Sequence, residues 1–213
     1  SNDAITLDDA SNAFAGTVTF ATDSGSAVTI VDTTSLDLKA LSAASLSVTA
    51  GGAVTDSGTL AISGATTLNS GSADLTLDES ASTFGTLAIT GANVAVTENA
   101  ATDLGSSTVS GTFGITSGGA ITDSGTLAIT GDATFTNTSG SNDAITLDDA
   151  SNAFAGTVTF ATDSGSAVTI VDTTALDLKA LSAASLSVTA GGAVTDSGTL
   201  AISGATTLNS GSA

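Results

Sequence analysis

The sequence predicts an all-β chain wound as a parallel β-helix, a β-solenoid. Three features lead there: two-residue apolar alternation, nested internal repeats, and a core drawn from small side chains. The alternation comes in short bursts such as AVTIV (27–31) and LSVTA (46–50), which put apolar residues on one face of an extended strand. Such bursts recur along the chain at Ile5/Leu7, Val18/Phe20, Val28/Ile30, Leu36/Leu38, Leu46/Val48, Leu60/Ile62 and onward to Leu127/Ile129. Gly, Ser, Asp and Asn lie between them and supply turns at low steric cost.

The repeats are nested. Residues 1–73 return as 141–213, an offset of 140, with Ser35 against Ala175 as the one difference. Inside that unit SVTAGGAVTDSGTLAISGATTL (47–68) resembles GITSGGAITDSGTLAITGDATF (114–135) at an offset of 67. LTLDESASTFGTLAIT (75–90) resembles ITLDDASNAFAGTVTFAT (145–162) at an offset of 70. Residues 1–140 are therefore one unit of two diverged halves of about 70, and 141–213 are the first half of the next. No proline, charge run or polar tract separates the copies, so 1–213 is expected to be one continuous solenoid without linkers. Tandem immunoglobulin-like sandwiches would show such boundaries and a large buried aromatic in each module.

The third feature is composition. The chain is 41% hydrophobic but 3% aromatic, with no Pro, Cys, Met, Trp or Tyr. Its mean hydropathy of +0.40 is too high for a chain that stays disordered for want of apolar surface. Small aliphatic and β-branched residues suit a narrow core in which equivalent positions stack coil upon coil. With three short strands per coil, one turn takes roughly 20–24 residues and each half-unit about three coils. The chain then holds about nine or ten coils, rising about 4.8 Å each. DLKALSAASL (37–46) is the one stretch of helical composition, but Leu38, Leu41 and Leu46 make no sustained 3.6-residue face. A strand corner is expected there.

Charge narrows the functional classes. Twenty-one acids face two bases, Lys39 and Lys179, for a net charge of −19. Phosphate neutralisation needs basic residues, so nucleic acid is not an expected partner, and an anionic membrane surface would repel the chain. No apolar run reaches the roughly 18–20 residues of a membrane helix. Without Cys there is neither a disulfide framework nor thiolate chemistry. The chain starts and stops inside a repeat, and is read as an excerpt of a longer protein.

No catalytic constellation stands out, and the chain is not expected to be an enzyme. The paired acids Asp8/Asp9, Asp78/Glu79 and Asp148/Asp149 follow an apolar burst each time. Neighbours on a strand point to opposite faces, so they read as strand exits into polar turns and not as a glycosidase pair. Without His or Cys a serine nucleophile lacks its usual base. AGGAVTDSG has neither the spacing nor the lysine of a phosphate loop. Thr-x-Thr triplets at 17–19, 134–136 and 157–159 are too sporadic for an ice-binding array and fit β-propensity. Calcium is the sharper alternative: Asp23, Asp32, Asp56, Asp103, Asp123 and Asp163 recur at turn-like places that stacking would gather. The nonapeptide of calcium-binding β-rolls is absent, however, and the expected assignment is no catalytic, cofactor-binding or metal residues.

NAFAGTVTF (12–20 and 152–160), SLSVTAGGAVTDSGTLAISGATTLNSGSA (45–73) and GITSGGAITDSGTLAITGDATF (114–135) resemble repeats of the filamentous-haemagglutinin-like large adhesins. The resemblance spans nearly the whole chain. It departs at STFGTL (82–87), where Ser82 stands in place of Asn12 and Asn152. It implies a right-handed parallel β-helix forming the shaft of a bacterial exoprotein, secreted by a two-partner or autotransporter route. The expected function is therefore a stalk segment of a giant extracellular adhesin or surface filament, giving length and stiffness. Its partners would be neighbouring repeats and other copies of itself. The ligand of any adhesive tip, which usually engages Trp, Tyr or Arg, would lie outside this segment. The alternative is a calcium-binding S-layer-like or biofilm-matrix repeat protein.

Overall fold

A computed structural model describes residues 3–211, and they form a β-solenoid with no helix. Every strand pairing is parallel. Ten strands stack into one sheet, from Thr17–Val18 through Leu36–Leu38, Val54–Asp56 and Leu75–Leu77 to Val194–Asp196. They mark ten successive coils. A fifteen-stranded sheet, joined over the last coils by a two-stranded one, closes the other sides. In the coil that starts at Val54, the strand Leu60–Asn69 continues round a corner, so its two ends lie on two faces.

Coil length follows from the register. Along the ten-stranded sheet Leu36 pairs with Val54, 18 residues on, and Ala133 with Val158, 25 residues on; the other steps of that sheet fall between, near 20. The column Leu36, Val54, Leu75, Val94, Phe113, Ala133, Val158, Leu178 takes seven steps. It ends two residues past Leu176, the repeat of Leu36. Seven coils thus make one 140-residue unit, with a two-residue advance. An even advance keeps every inward side chain inward, because strand side chains alternate with period two.

This corrects the expectation of three coils per half-unit. A half is three and a half coils, because offsets of 67 and 70 are not multiples of about 20. Matching segments of the two halves therefore lie on different faces. Leu75–Leu77 belongs to the ten-stranded sheet, and its counterpart Ile145–Leu147 to the fifteen-stranded one. The 37–46 stretch holds two strands, Leu36–Leu38 and Leu41–Ala43, before Ser45–Ala50, as the strand-corner reading expected.

The core is one column of inward aliphatics, from Val28 and Ile30 through Leu38, Leu68, Leu104 and Ile121 to Ile170 and Val188. It includes a cluster of four rings. Phe135 meets Phe113 and Phe154 edge-on at 5.9 and 6.1 Å between ring centroids, and stacks on Phe160 at 5.8 Å. No helix among the described residues is long and apolar enough to cross a membrane.

Candidate functional site

The paired acids are turns. Asp9 and Asp149 accept the amides of Ser11 and Ser151 two residues on, at 2.8 and 2.9 Å. The first acid of each later pair uses its own amide instead: Asp78 donates to Asp56 Oδ1 at 2.9 Å, and Asp148 to Asp123 Oδ1 at 2.8 Å. These bonds cross from one coil to the next. They tie coils together.

A related device closes the backbone ladder at several corners. A buried side-chain oxygen then stands in for the missing carbonyl, since a buried amide left unpaired is costly. Asp32 and Asp172 accept the amides of Phe14 and Phe154 at 3.2 Å. Ser82 accepts that of Leu60 at 3.0 Å, Ser107 that of Ile89 at 3.0 Å, and Asn152 that of Leu127 at 2.8 Å. Glu98 Oε2 accepts that of Phe84 at 3.1 Å. Sequence reading missed these roles. Its one available signal was the alignment of Ser82 with Asn12 and Asn152, a position where two different side chains both offer an acceptor.

On the outer face the acids bridge coils too. Asp103 Oδ2 accepts the hydroxyls of Thr86 at 2.8 Å and Ser124 at 2.9 Å, from the coils on either side. Asp74 accepts from Asn93, which in turn accepts from the Thr112 amide and hydroxyl. Thr157 holds the exposed Asp132 below the usual carboxylate range, through its amide and then its hydroxyl, and Lys179 adds to this. Lys39 and Lys179 lie at equivalent corners, donating their amides to Val18 and Val158. The Thr134/Thr136 pair meets Thr159 and Ala161 on one side and Gly114 and Thr116 on the other, so the threonine array breaks in both directions.

As for calcium, the acids singled out do not converge: no three His, Cys, Asp or Glu side chains among the described residues form a cation-binding group. Asp123 already accepts two amides and the Asn152 side chain.

Two buried carboxyls make the solenoid sensitive to pH. Burial pushes Glu98 up to about 7, against the hydrogen bonds that pull it down. Burial also pushes Asp56 up to about 6, partly offset by the Asp78 amide and reinforced by the negative charges of Asp78 and Glu79. Each acid binds its proton more tightly folded than unfolded. Their stabilising contribution is therefore complete below about pH 4 and is lost as pH rises through 6 and 7. The melting temperature should be higher at pH 5 than at pH 7.5, by about 5 °C. Glu98→Gln, which keeps a carbonyl acceptor for Phe84, should raise stability at pH 7.5 and change little at pH 5. A melting temperature that climbs steadily from pH 5 to 7.5 contradicts this.

Comparison with known proteins finds one family. A model described as repeats of unknown function (DUF5649) matches residues 25–90, 91–161 and 165–213, and the chain belongs to that family. The first two matches cover one half-unit length each, and all three run across the coils without regard to their boundaries. No curated protein and no solved structure matches.

Proposed function

We propose that this member of the DUF5649 repeats is a segment of a structural shaft, belonging to a large extracellular bacterial adhesin or surface filament. The observation that carries the reading is continuity: one apolar core and parallel ladders run through ten coils without a linker. In such a chain each coil contacts only its neighbours, so repeating the unit adds length without new design. The side-chain acceptors at the corners favour stiffness, because they close ladder gaps where a solenoid would otherwise bend. The net charge of −19 keeps neighbouring shafts apart. Surface location and the adhesin assignment rest on the resemblance of the repeats to filamentous-haemagglutinin-like proteins.

The test is made on the organism that produces the chain. Antibodies raised against the folded 213-residue chain should label intact, unpermeabilised cells. Labelling that requires permeabilisation overturns the surface assignment.

A further inference from the structure

We infer that the contact between the coil at 54–69 and the coil at 75–91 is a proton-operated joint. In it a proton on Asp56 replaces the hydrogen bond that an asparagine amide supplies at the matching contact of the other half-unit. The inference concerns two corners inside the chain and holds whether or not the chain serves as a shaft.

The two contacts are built from the same parts. AVTDSGTL (53–60) is covered by LTLDESASTF (75–84), and AITDSGTL (120–127) by ITLDDASNAF (145–154). At both, the aspartate Oδ1 accepts an amide from the covering coil, that of Asp78 at 2.9 Å or Asp148 at 2.8 Å. The same turn then brings in a fully buried polar side chain. The Ser82 amide donates to the Glu79 carbonyl at 2.9 Å, and the Asn152 amide to the Asp149 carbonyl at 3.2 Å. Each side chain accepts a leucine amide from the covered coil, Ser82 Oγ from Leu60 and Asn152 Oδ1 from Leu127.

There the likeness ends. Asn152 has a second arm, and its Nδ2 donates to Asp123 Oδ2 at 2.6 Å; the Asp149 amide reaches that oxygen too, at 3.3 Å. Serine has no second arm, and Asp56 Oδ2 is buried with no hydrogen-bond partner. A buried oxygen without a donor is costly, most of all when it carries charge. The charged groups on the flanking coils are Asp37 and Lys39 before it and Asp78 and Glu79 after it. Burial pushes Asp56 up to about 6, with the charges of Asp78 and Glu79 adding to the push and their amides opposing it. The closed contact therefore binds the proton more tightly than the open one. It is fully held below about pH 4 and loosens as pH rises through 6. Ser82, standing where the other half-unit has an asparagine, is what makes this corner titratable.

Hydrogen exchange of single amides tests this. The Asp78 amide reports the joint and the Leu127 amide the matching contact, and both lie in 74–140, the part of the sequence that occurs once. The chain measured carries Glu98→Gln, which silences the other buried carboxyl with a raised proton affinity. From pH 5 to 7.5 the protection of the Asp78 amide, corrected for its intrinsic rate, should fall about tenfold, while that of Leu127 stays level. Ser82→Asn supplies the missing arm and should level the Asp78 profile. Asp56→Asn keeps the Oδ1 acceptor and should level it as well, so the test stands even if the larger side chain at 82 disturbs the turn. Asn152→Ser should give the Leu127 amide the same tenfold fall. A level Asp78 profile before either change overturns the inference, and so does a fall that persists in Asp56→Asn or in a folded Ser82→Asn chain. A Leu127 amide that stays level in Asn152→Ser overturns it too.

Discussion

Phe135→Ala should cost about 3–5 kcal/mol, the range for deleting a large buried side chain and leaving a cavity. Phe135 is fully buried and is the one ring in contact with the other three of its cluster. Those three come from the coils on either side, Phe113 from the one before and Phe154 and Phe160 from the one after, so small local shifts cannot refill the space. In a solenoid the damage is also positional, because stability is a sum of coils and nearest-neighbour interfaces. Calorimetry of the variant should show a lower melting temperature, by roughly 10 °C, and a transition that broadens or splits as the coils on either side uncouple. A change under about 1 kcal/mol would mean that the ring cluster is not packed as described.

Gly156→Val should be as damaging, and the same substitution at Gly16 should be nearly silent. The two glycines occupy the same place in identical sequence. At Gly156 a Cβ would strike the Gly131 carbonyl and lie 2.7 Å from the amide nitrogen of Asp132, both of them backbone atoms that cannot swing aside. At Gly16 the same Cβ points into open space. We expect Gly156→Val to cost several kcal/mol or to separate the coils on its two sides, and Gly16→Val to stay within about 0.5 kcal/mol. Thermal melts of dilute protein check both. Equal effects at the two positions would mean that the glycine serves the local turn and not the approach of the preceding coil.

These paired positions show what the sequence could and could not reveal. Alternation in AVTIV and LSVTA was enough to point Val28, Ile30, Leu46 and Val48 inward, because strand periodicity is local. Nested repetition, with small side chains, was enough for the β-solenoid fold. Coil count per half-unit was not legible: the offsets of 67 and 70 looked like a whole number of coils, and only the register shows that each half adds half a coil. The acids were read as polar turns or, in the calcium alternative, as residues gathered by stacking, whereas Asp32, Asp56, Glu98 and Asp172 are buried. What draws them inward is an unpaired amide some 14 to 22 residues away along the chain. Such a partner is set by the stacking of coils and leaves no mark on the residues next to the acid.

The most direct test of the account is the length added by each 140-residue unit. Chains of one, two and three units, imaged by electron microscopy and measured by small-angle scattering, should be unbranched rods. Seven coils at about 4.8 Å predict about 34 Å per added unit, with a 4.8 Å layer line along the rod in oriented samples. A beaded outline whose repeat is clearly longer, with no such layer line, would contradict a single stacked solenoid.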